Sequence, residues 1–212
     1  MRAPAKGVAA ALAAIGLSMP VFASADEVTE ERDVATFSRI VVEGGLDIAI
    51  RAGETQSVAV TTEASHMDRV ETIVRDGVLT IDLKGRRWRG ADVEIEIAMA
   101  KFEGLEIDGA ADATISNIDS EAVEIEISGA GDVSMDGACT TATFEVNGAG
   151  DIDAEAFKCA HVDLTINGAG DAEVFASETV AARINGVGDI EVYGNPKTVE
   201  RQIAGLGDFE LK

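Results

Sequence analysis

Six aspartates recur along the second half of the chain: Asp112, Asp132, Asp151, Asp171, Asp189 and Asp208. Each closes a copy of one tetrapeptide, written GAAD, GAGD, GAGD, GAGD, GVGD and GLGD in turn. If neighbouring strands bring these carboxylates to the usual ~4.8 Å spacing, each pair repels by roughly 1 kcal/mol in water and about 3–4 kcal/mol at an effective dielectric near 20. Two chemistries offset such repulsion. A cation such as Ca²⁺ takes several carboxylate and carbonyl oxygens. Alternatively, each aspartate accepts hydrogen bonds from amides of a turn while staying solvated, which is a structural role.

The calcium reading draws on a partial similarity to the GGxGxDxUx units of calcium-binding β-rolls. Here the aspartate follows the second glycine directly and returns once in about 19 residues, not every nine. Three further groups have side chains suited to chemistry. Cys139 and Cys159 each lie nine residues before the next tetrapeptide, so a stacked repeat places them at equivalent positions on neighbouring strands. That spacing suits a disulfide, which accepts Cα separations of about 4.4–6.8 Å; buried free thiols are the other reading. The run Lys84 to Arg89 (KGRRWR) contains Arg86, Arg87, Trp88 and Arg89. A tryptophan beside arginines can stack on a sugar ring or grip an acidic glycan, and such a run can equally be a solvated hairpin tip. His66 and His161 have no metal-ligand spacing, and nothing resembles a nucleophile set beside a histidine.

The elements that position these residues follow from the repeat. The first glycines of the six tetrapeptides are separated by 20, 19, 20, 18 and 19 residues, the period of a solenoid in which each repeat is one coil stacked on its neighbours. Short runs flank every tetrapeptide with strict alternation, such as Val123, Ile125 and Ile127 against Glu124, Glu126 and Ser128. Alternation of that kind puts one face of a strand inward. The tetrapeptide is then the corner between two short strands, its glycines allowing the bend. Its apolar middle residue (Ala110, Ala130, Ala149, Ala169, Val187, Leu206) is expected to point inward, as are Asn147, Asn167 and Asn185 just before three of the corners, forming an asparagine ladder.

Gly44 to Asp47 matches the corner pattern in outline and reads as a diverged seventh copy. Strands are also expected at Ser57–Thr61, at Val70–Val74 joined through an Asp76-Gly77 turn to Val78–Leu83, and at Asp92–Ala98. Ala64–Arg69 allows one helical turn. This N-terminal part is expected to be a more irregular β cap, because an uncapped stack exposes a row of unpaired strand groups. The chain's last residues follow directly on the last corner, which predicts an open C-terminal edge.

Residues 1–25 read as a cleaved signal peptide: Arg2 and Lys6, the apolar run Val8 to Leu17, then Ala23-Ser24-Ala25. Residues 26–36 read as a flexible leader and 37–212 as a single domain. No stretch after the leader is long and apolar enough to anchor in a membrane. The 212-residue chain has 39 acidic and 17 basic residues, a formal charge of −22, and all the acids lie beyond residue 25. Such a surface repels nucleic acid and anionic lipid and attracts cations and basic partners. A content of 46% hydrophobic residues, in ordered alternation, argues against disorder. The expected location is periplasmic or secreted.

FSRIVVEGGLDIAI from Phe37, DGVLTIDL from Asp76, VEIEIAM leading into LEIDGAAD, and the recurring GAGD corners together resemble the putative auto-transporter adhesin head GIN domain family, over Phe37 to about Lys212. The resemblance implies an all-β protein, a right-handed single-stranded parallel β-helix (β-solenoid) with coils of about 19 residues. It brings no catalytic residue and no cofactor. The function this implies is an exported, non-catalytic adhesin or binding module of the cell envelope, with a glycan or cell-surface protein as partner. Two other classes stand beside it: a polysaccharide-processing β-helix enzyme, which needs non-repeating acids and bases in one groove, and a scaffold that self-associates through the open C-terminal edge.

Overall fold

The computed structural model describes residues 27–85 and 92–212. The signal-peptide reading and the basic positions Arg86, Arg87, Trp88 and Arg89 lie outside the described residues. The fold is all-β. In chain order the strands are β1 (Glu27–Glu31), β2 (Arg39–Glu43), β3 (Gly45–Ala52), β4 (Ser57–Glu63), β5 (Val70–Arg75), β6 (Val78–Leu83), β7 (Glu94–Met99) and β8 (Gly104–Ile107). The regular part then follows as β9 (Ala110–Ile127), β10 (Val133–Val146), β11 (Ile152–Ile166), β12 (Ala172–Ile184), β13 (Ile190–Tyr193), β14 (Thr198–Ile203) and β15 (Phe209–Leu211). A single turn of 3-10 helix, Met67–Arg69, falls within the stretch read as a helical turn.

All fifteen strands join one hydrogen-bonded sheet. From β9 to β12 each strand pairs in parallel with the next, β13 and β14 both pair in parallel with β12, and β15 with β13. Partners are the equivalent residues of successive repeats: Val123 with Ala142, Ala142 with Val162, Val162 with Val180. The corners continue the pairing through bridges Ala110 to Ala130, Ala130 to Ala149, and on to Leu206. The expected pair of short strands per repeat is fused. Each of β9 to β12 is one long strand carrying both alternating runs, with an irregularity between them such as the one in β10 near Gly137. Pairing lapses at the bend and resumes beyond it in a shifted register, as between Ser134 and Gly137 of β10 against β11 and between Ala154 and Lys158 of β11 against β12. Gly137 has φ of 126°, and a Cβ there would sit 2.2 Å from the carbonyl oxygen of Ile118.

Burial explains the alternation. Val133, Met135, Ala142, Phe144 and Val146 of β10 are all at most 3% exposed, and the same columns continue through Ile152, Ala154, Val162, Leu164 and Ile166. Each buried aliphatic side chain contributes roughly 1.5–3 kcal/mol relative to exposure. One repeat cannot enclose such residues alone, so stacking is what makes each repeat stable.

The N-terminal part is irregular as expected. β3 pairs with β9 in the register that sets Asp47 against Asp112, so Gly44 to Asp47 is a seventh corner. β3 also pairs with β7, β7 with β4 and β4 with β1, the last two antiparallel. β5 and β6 form an antiparallel hairpin whose turn residues Asp76 and Gly77 have φ of 52° and 79°, the signature of a tight hairpin turn.

Three expectations are corrected. Residues 27–31 of the expected flexible leader form a strand, β1, on the outer edge of β4, with the Thr29 and Thr61 hydroxyls 2.8 Å apart. All five residues of β1 are exposed, so backbone pairing holds the strand and leaves no hydrophobic period to read. The middle residues of the corners point outward: Ala110, Ala130, Ala149 and Ala169 are exposed, and Val187 and Leu206 are 55% and 73% exposed. Asn147, Asn167 and Asn185 are likewise exposed.

One cause underlies the last two corrections. The two-residue alternation runs through the corner without interruption. Ile127 and Val133 are buried on either side, so Gly129 and Gly131 occupy the intervening steps of the inward series while residues 128, 130 and 132 face out. A Cβ on Gly129 would lie 1.8 Å from the carbonyl oxygen of Gly109, and one on Gly131 would lie 1.9 Å from that of Ala111. Glycine stands there because the repeats approach too closely for any side chain.

Candidate functional site: the corner face

Three columns of outward side chains run side by side along the corners: Asn147, Asn167 and Asn185; then Ala110 through Leu206; then Asp112 through Asp208. The aspartates form a rail. The amide N–H of Asp132 donates to Asp112 Oδ1 at 3.2 Å, and that of Asp151 to Asp132 Oδ1 at 3.1 Å. The series continues from Asp171 to Asp151 at 2.7 Å, Asp189 to Asp171 at 2.7 Å, and Asp208 to Asp189 at 2.8 Å. Each carboxylate from Asp112 to Asp189 therefore satisfies an amide of the next corner that the corner leaves without a ladder partner. Charge-assisted bonds of this kind are stronger than neutral ones, and they offset the repulsion along the column.

The asparagines are coupled in the same way. Asn167 Nδ2 donates to Asn147 Oδ1 and Asn185 Nδ2 to Asn167 Oδ1, both at 2.8 Å, while Asn147 Nδ2 donates to Glu126 Oε1 at 3.2 Å. The ladder expected from the sequence is present on the exterior. Between the two hydrogen-bonded columns lies the apolar one, small at Ala110 to Ala169 and enlarging to Val187 and Leu206 near the C-terminus.

A second carboxylate column, not singled out in the sequence, adjoins the rail. Asp153, Glu173, Glu191 and Glu210 succeed one another in register. Its signal was legible as an acid two residues after each of the last four corner aspartates, outward by simple alternation. Here the C-terminus contributes compensation: Lys212 Nζ reaches Glu210 at 2.8 Å and Glu191 at 3.2 Å. The hydrogen bonds to Glu210 and then Glu191 raise the Lys212 ammonium pKa to about 12. Tyr193 donates to Glu191 Oε2 at 3.2 Å, and partial burial followed by that bond and the charges of Glu173 and Glu191 pushes its phenol up to about 12. Toward the N-terminal end, Asp47, Glu94, Asp112, Asp132, Asp151 and Asp153 line a shallow groove of about 530 Å³.

Among the described residues, no group of three or more His, Cys, Asp or Glu side chains is placed to hold a metal ion. One oxygen of each of Asp112 to Asp189 is already taken by the next amide, which is the structural role of the two foreseen. Cys139 and Cys159 are joined by a disulfide, with Cα atoms 4.6 Å apart and residues directly paired in β10 and β11. Below it in the same column Ser120 is buried and donates to the carbonyl of Phe102 at 2.6 Å. His161 Nδ1 lies 2.9 Å from Thr179 Oγ1 on the surface, and His66 Nδ1 lies 3.3 Å from a Glu63 carboxylate oxygen. No ligand set joins the two histidines.

Fold and exterior together define an all-β protein whose parallel strands stack equivalent side chains into outward columns. The chain belongs to the family described as putative auto-transporter adhesin, head GIN domain, whose model matches residues 36–196. Its structure is similar to that of a putative adhesin from Bacteroides fragilis NCTC 9343, with a TM-score of 0.70 at 21% identity, over 89% of this chain and 98% of that one. It is also similar to a putative lipid binding protein from Parabacteroides distasonis ATCC 8503, with a TM-score of 0.51 at 16% identity, over 88% of this chain and 97% of that one. At these identities the likeness is one of fold. No curated protein sequence matches this chain.

Proposed function

We propose that this chain is an exported, non-catalytic binding module of the cell envelope, of adhesin type, which contacts a glycan or a cell-surface protein through its corner face. The observation that carries this reading is the exposed apolar column from Ala110 to Leu206, held between an asparagine ladder and an aspartate rail. Surface side chains normally lose rotamer freedom when a partner orders them. Here hydrogen bonds between repeats have already ordered both flanking columns, so a flat partner meets a preorganised surface with an apolar centre and polar margins. The adhesin description of the family supports the same reading, although fold by itself does not carry function.

With this function goes the finer architecture: one domain over residues 37–212, a right-handed single-stranded parallel β-solenoid of about 19-residue coils, exported by the signal segment 1–25 to the periplasm or beyond. The disulfide fits an oxidising compartment. Arg86, Arg87, Trp88 and Arg89 are proposed as a separate glycan contact on sequence grounds.

The test is a glycan and envelope-protein binding screen with the native chain, repeated with Ala149→Arg and Ala169→Arg together. These substitutions leave the core untouched and roughen the column. Loss of binding at unchanged melting temperature is the expected result. Equal binding by the native and doubly substituted chains would remove the corner face from the function, and Trp88→Ala would then locate the contact at the basic segment.

A further inference from the structure

The sequence leaves open whether the C-terminal repeat joins a second copy of the chain. β14 and β15 pair on one side only, with β12 and β13. Their other edge therefore presents amide and carbonyl groups in the arrangement that accepts another strand. The inward series of this last repeat is uncovered as well. Val199, Ile203 and Leu211 pair with buried Val180, Ile184 and Val192, yet they are 36%, 44% and 51% exposed. By the physics that stacks every earlier repeat, this end is sticky.

One position breaks the series. Leu105, Ile125, Phe144, Leu164 and Ala182 follow one another in register, and all are buried. The next residue in that column is Arg201, which is exposed. Its guanidinium carbon lies 5.9 Å from the centroid of the Phe209 ring, within cation–π range. The side chain thus reaches from β14 to β15 across the open end of the core.

We propose that Arg201 is a blocking residue, which prevents the C-terminal end of the stack from accepting a further layer of strand and in particular a second copy of this chain. A strand continuing the columns would enclose the guanidinium among apolar side chains, and a buried cation without a carboxylate is strongly disfavoured. Two-fold pairing of β14 with its own copy supplies no such carboxylate. An antiparallel partner that keeps the inward faces together matches residues of the same parity. Arg201 then meets Val199, Arg201 or Ile203 of the other copy, while Glu200 stays on the outer face. An inward-pointing charge is one of the devices by which sheet edges avoid pairing, and the formal charge of −22 adds general repulsion between copies.

The test compares the chain recovered from an exporting host with its Arg201→Leu, Arg201→Ala and Arg201→Lys variants. Size-exclusion chromatography with light scattering is run over a concentration series, and circular dichroism checks β content. The native chain and the lysine variant are expected to stay monomeric. The leucine variant, restoring the residue type of Leu105 and Leu164, is expected to show a rise of roughly twofold or more in weight-average mass with concentration. The alanine variant removes the cation without adding bulk and decides the matter where the leucine variant loses its β signal. A native chain that already self-associates, or folded leucine and alanine variants that both remain monomeric, overturns the proposal.

Discussion

The backbone amide of Asp171 donates to Oδ1 of Asp151 at 2.7 Å, so the aspartate of one corner holds the backbone of the next. Asp151→Ala removes the acceptor and is expected to destabilise the chain by about 0.5–1.5 kcal/mol. Asp151→Asn keeps an acceptor oxygen and should recover most of that loss. Thermal melts followed by circular dichroism separate the two. Equal destabilisation by both would mean that the charge, and not the hydrogen bond, is what the corner uses.

Calcium gives an independent measurement of the same column. A cation that binds only the folded chain stabilises it by about 2.7 kcal/mol at one hundred times its dissociation constant. With Asp Oδ1 atoms already engaged by amides, the melting temperature is expected to stay unchanged in millimolar Ca²⁺ and in EDTA. An upward shift in Ca²⁺ that EDTA reverses would restore the cation ladder.

Corner glycines and corner alanines should respond in opposite ways. On Gly148 a Cβ would meet the carbonyl oxygen of Gly129 at 1.8 Å, and the obstacle is backbone, which cannot rotate away. Gly148→Ala is expected to cost about 3 kcal/mol or more, the upper end of overpacking effects. Ala149→Ser, one residue on and exposed, should stay within about 0.5 kcal/mol. Urea titrations of the two variants check the contrast.

The disulfide joins residues 20 apart in sequence, and closing a loop of that size is worth roughly 3 kcal/mol. Reduction, or Cys139→Ser with Cys159→Ser, is expected to lower stability by about 2–4 kcal/mol without unfolding the stack, because the hydrogen-bonded pairing on either side remains. A mass gain of two hydrogens on reduction confirms the bond itself.

Glu106 stacks on Glu126, which stacks on Glu145. Partial burial first, then the charges of Asp108, Glu126 and Glu124, raise its carboxyl above the ordinary 4.5. The folded chain thus holds this proton more tightly than the unfolded chain does. The resulting stability is fully present below pH ~4.5 and is lost as pH rises through the raised value. Glu106→Gln is therefore expected to stabilise the chain at pH 7, by about 0.2–1 kcal/mol for relief of like charges directly opposed, and to have little effect near pH 4. Glu103 runs the other way. Hydrogen bonds from Lys101 and Ser38 lower its carboxyl, so its contribution is present at neutral pH and disappears as pH falls through the lowered value.

The sequence by itself determined the spacing of the corners, the alternation and the strands from β2 to β7, because stacked parallel strands repeat local chemistry and each states the same pattern again. Asp47 was recognisable as a seventh corner aspartate for that reason. Only the tertiary structure decided which way the corner side chains face. Reading Ala130 as a core residue assumed that a bend resets the alternation, whereas Gly129 and Gly131 carry it through where neighbouring backbones leave no room for a Cβ. β1 was likewise invisible, since an all-exposed strand held by backbone bonds alone leaves no hydrophobic trace. The role of Arg201 belongs to the same class. In sequence it is one arginine among polar neighbours, and only the register of β14 on β12 shows that it stands where every earlier repeat has placed a buried apolar side chain.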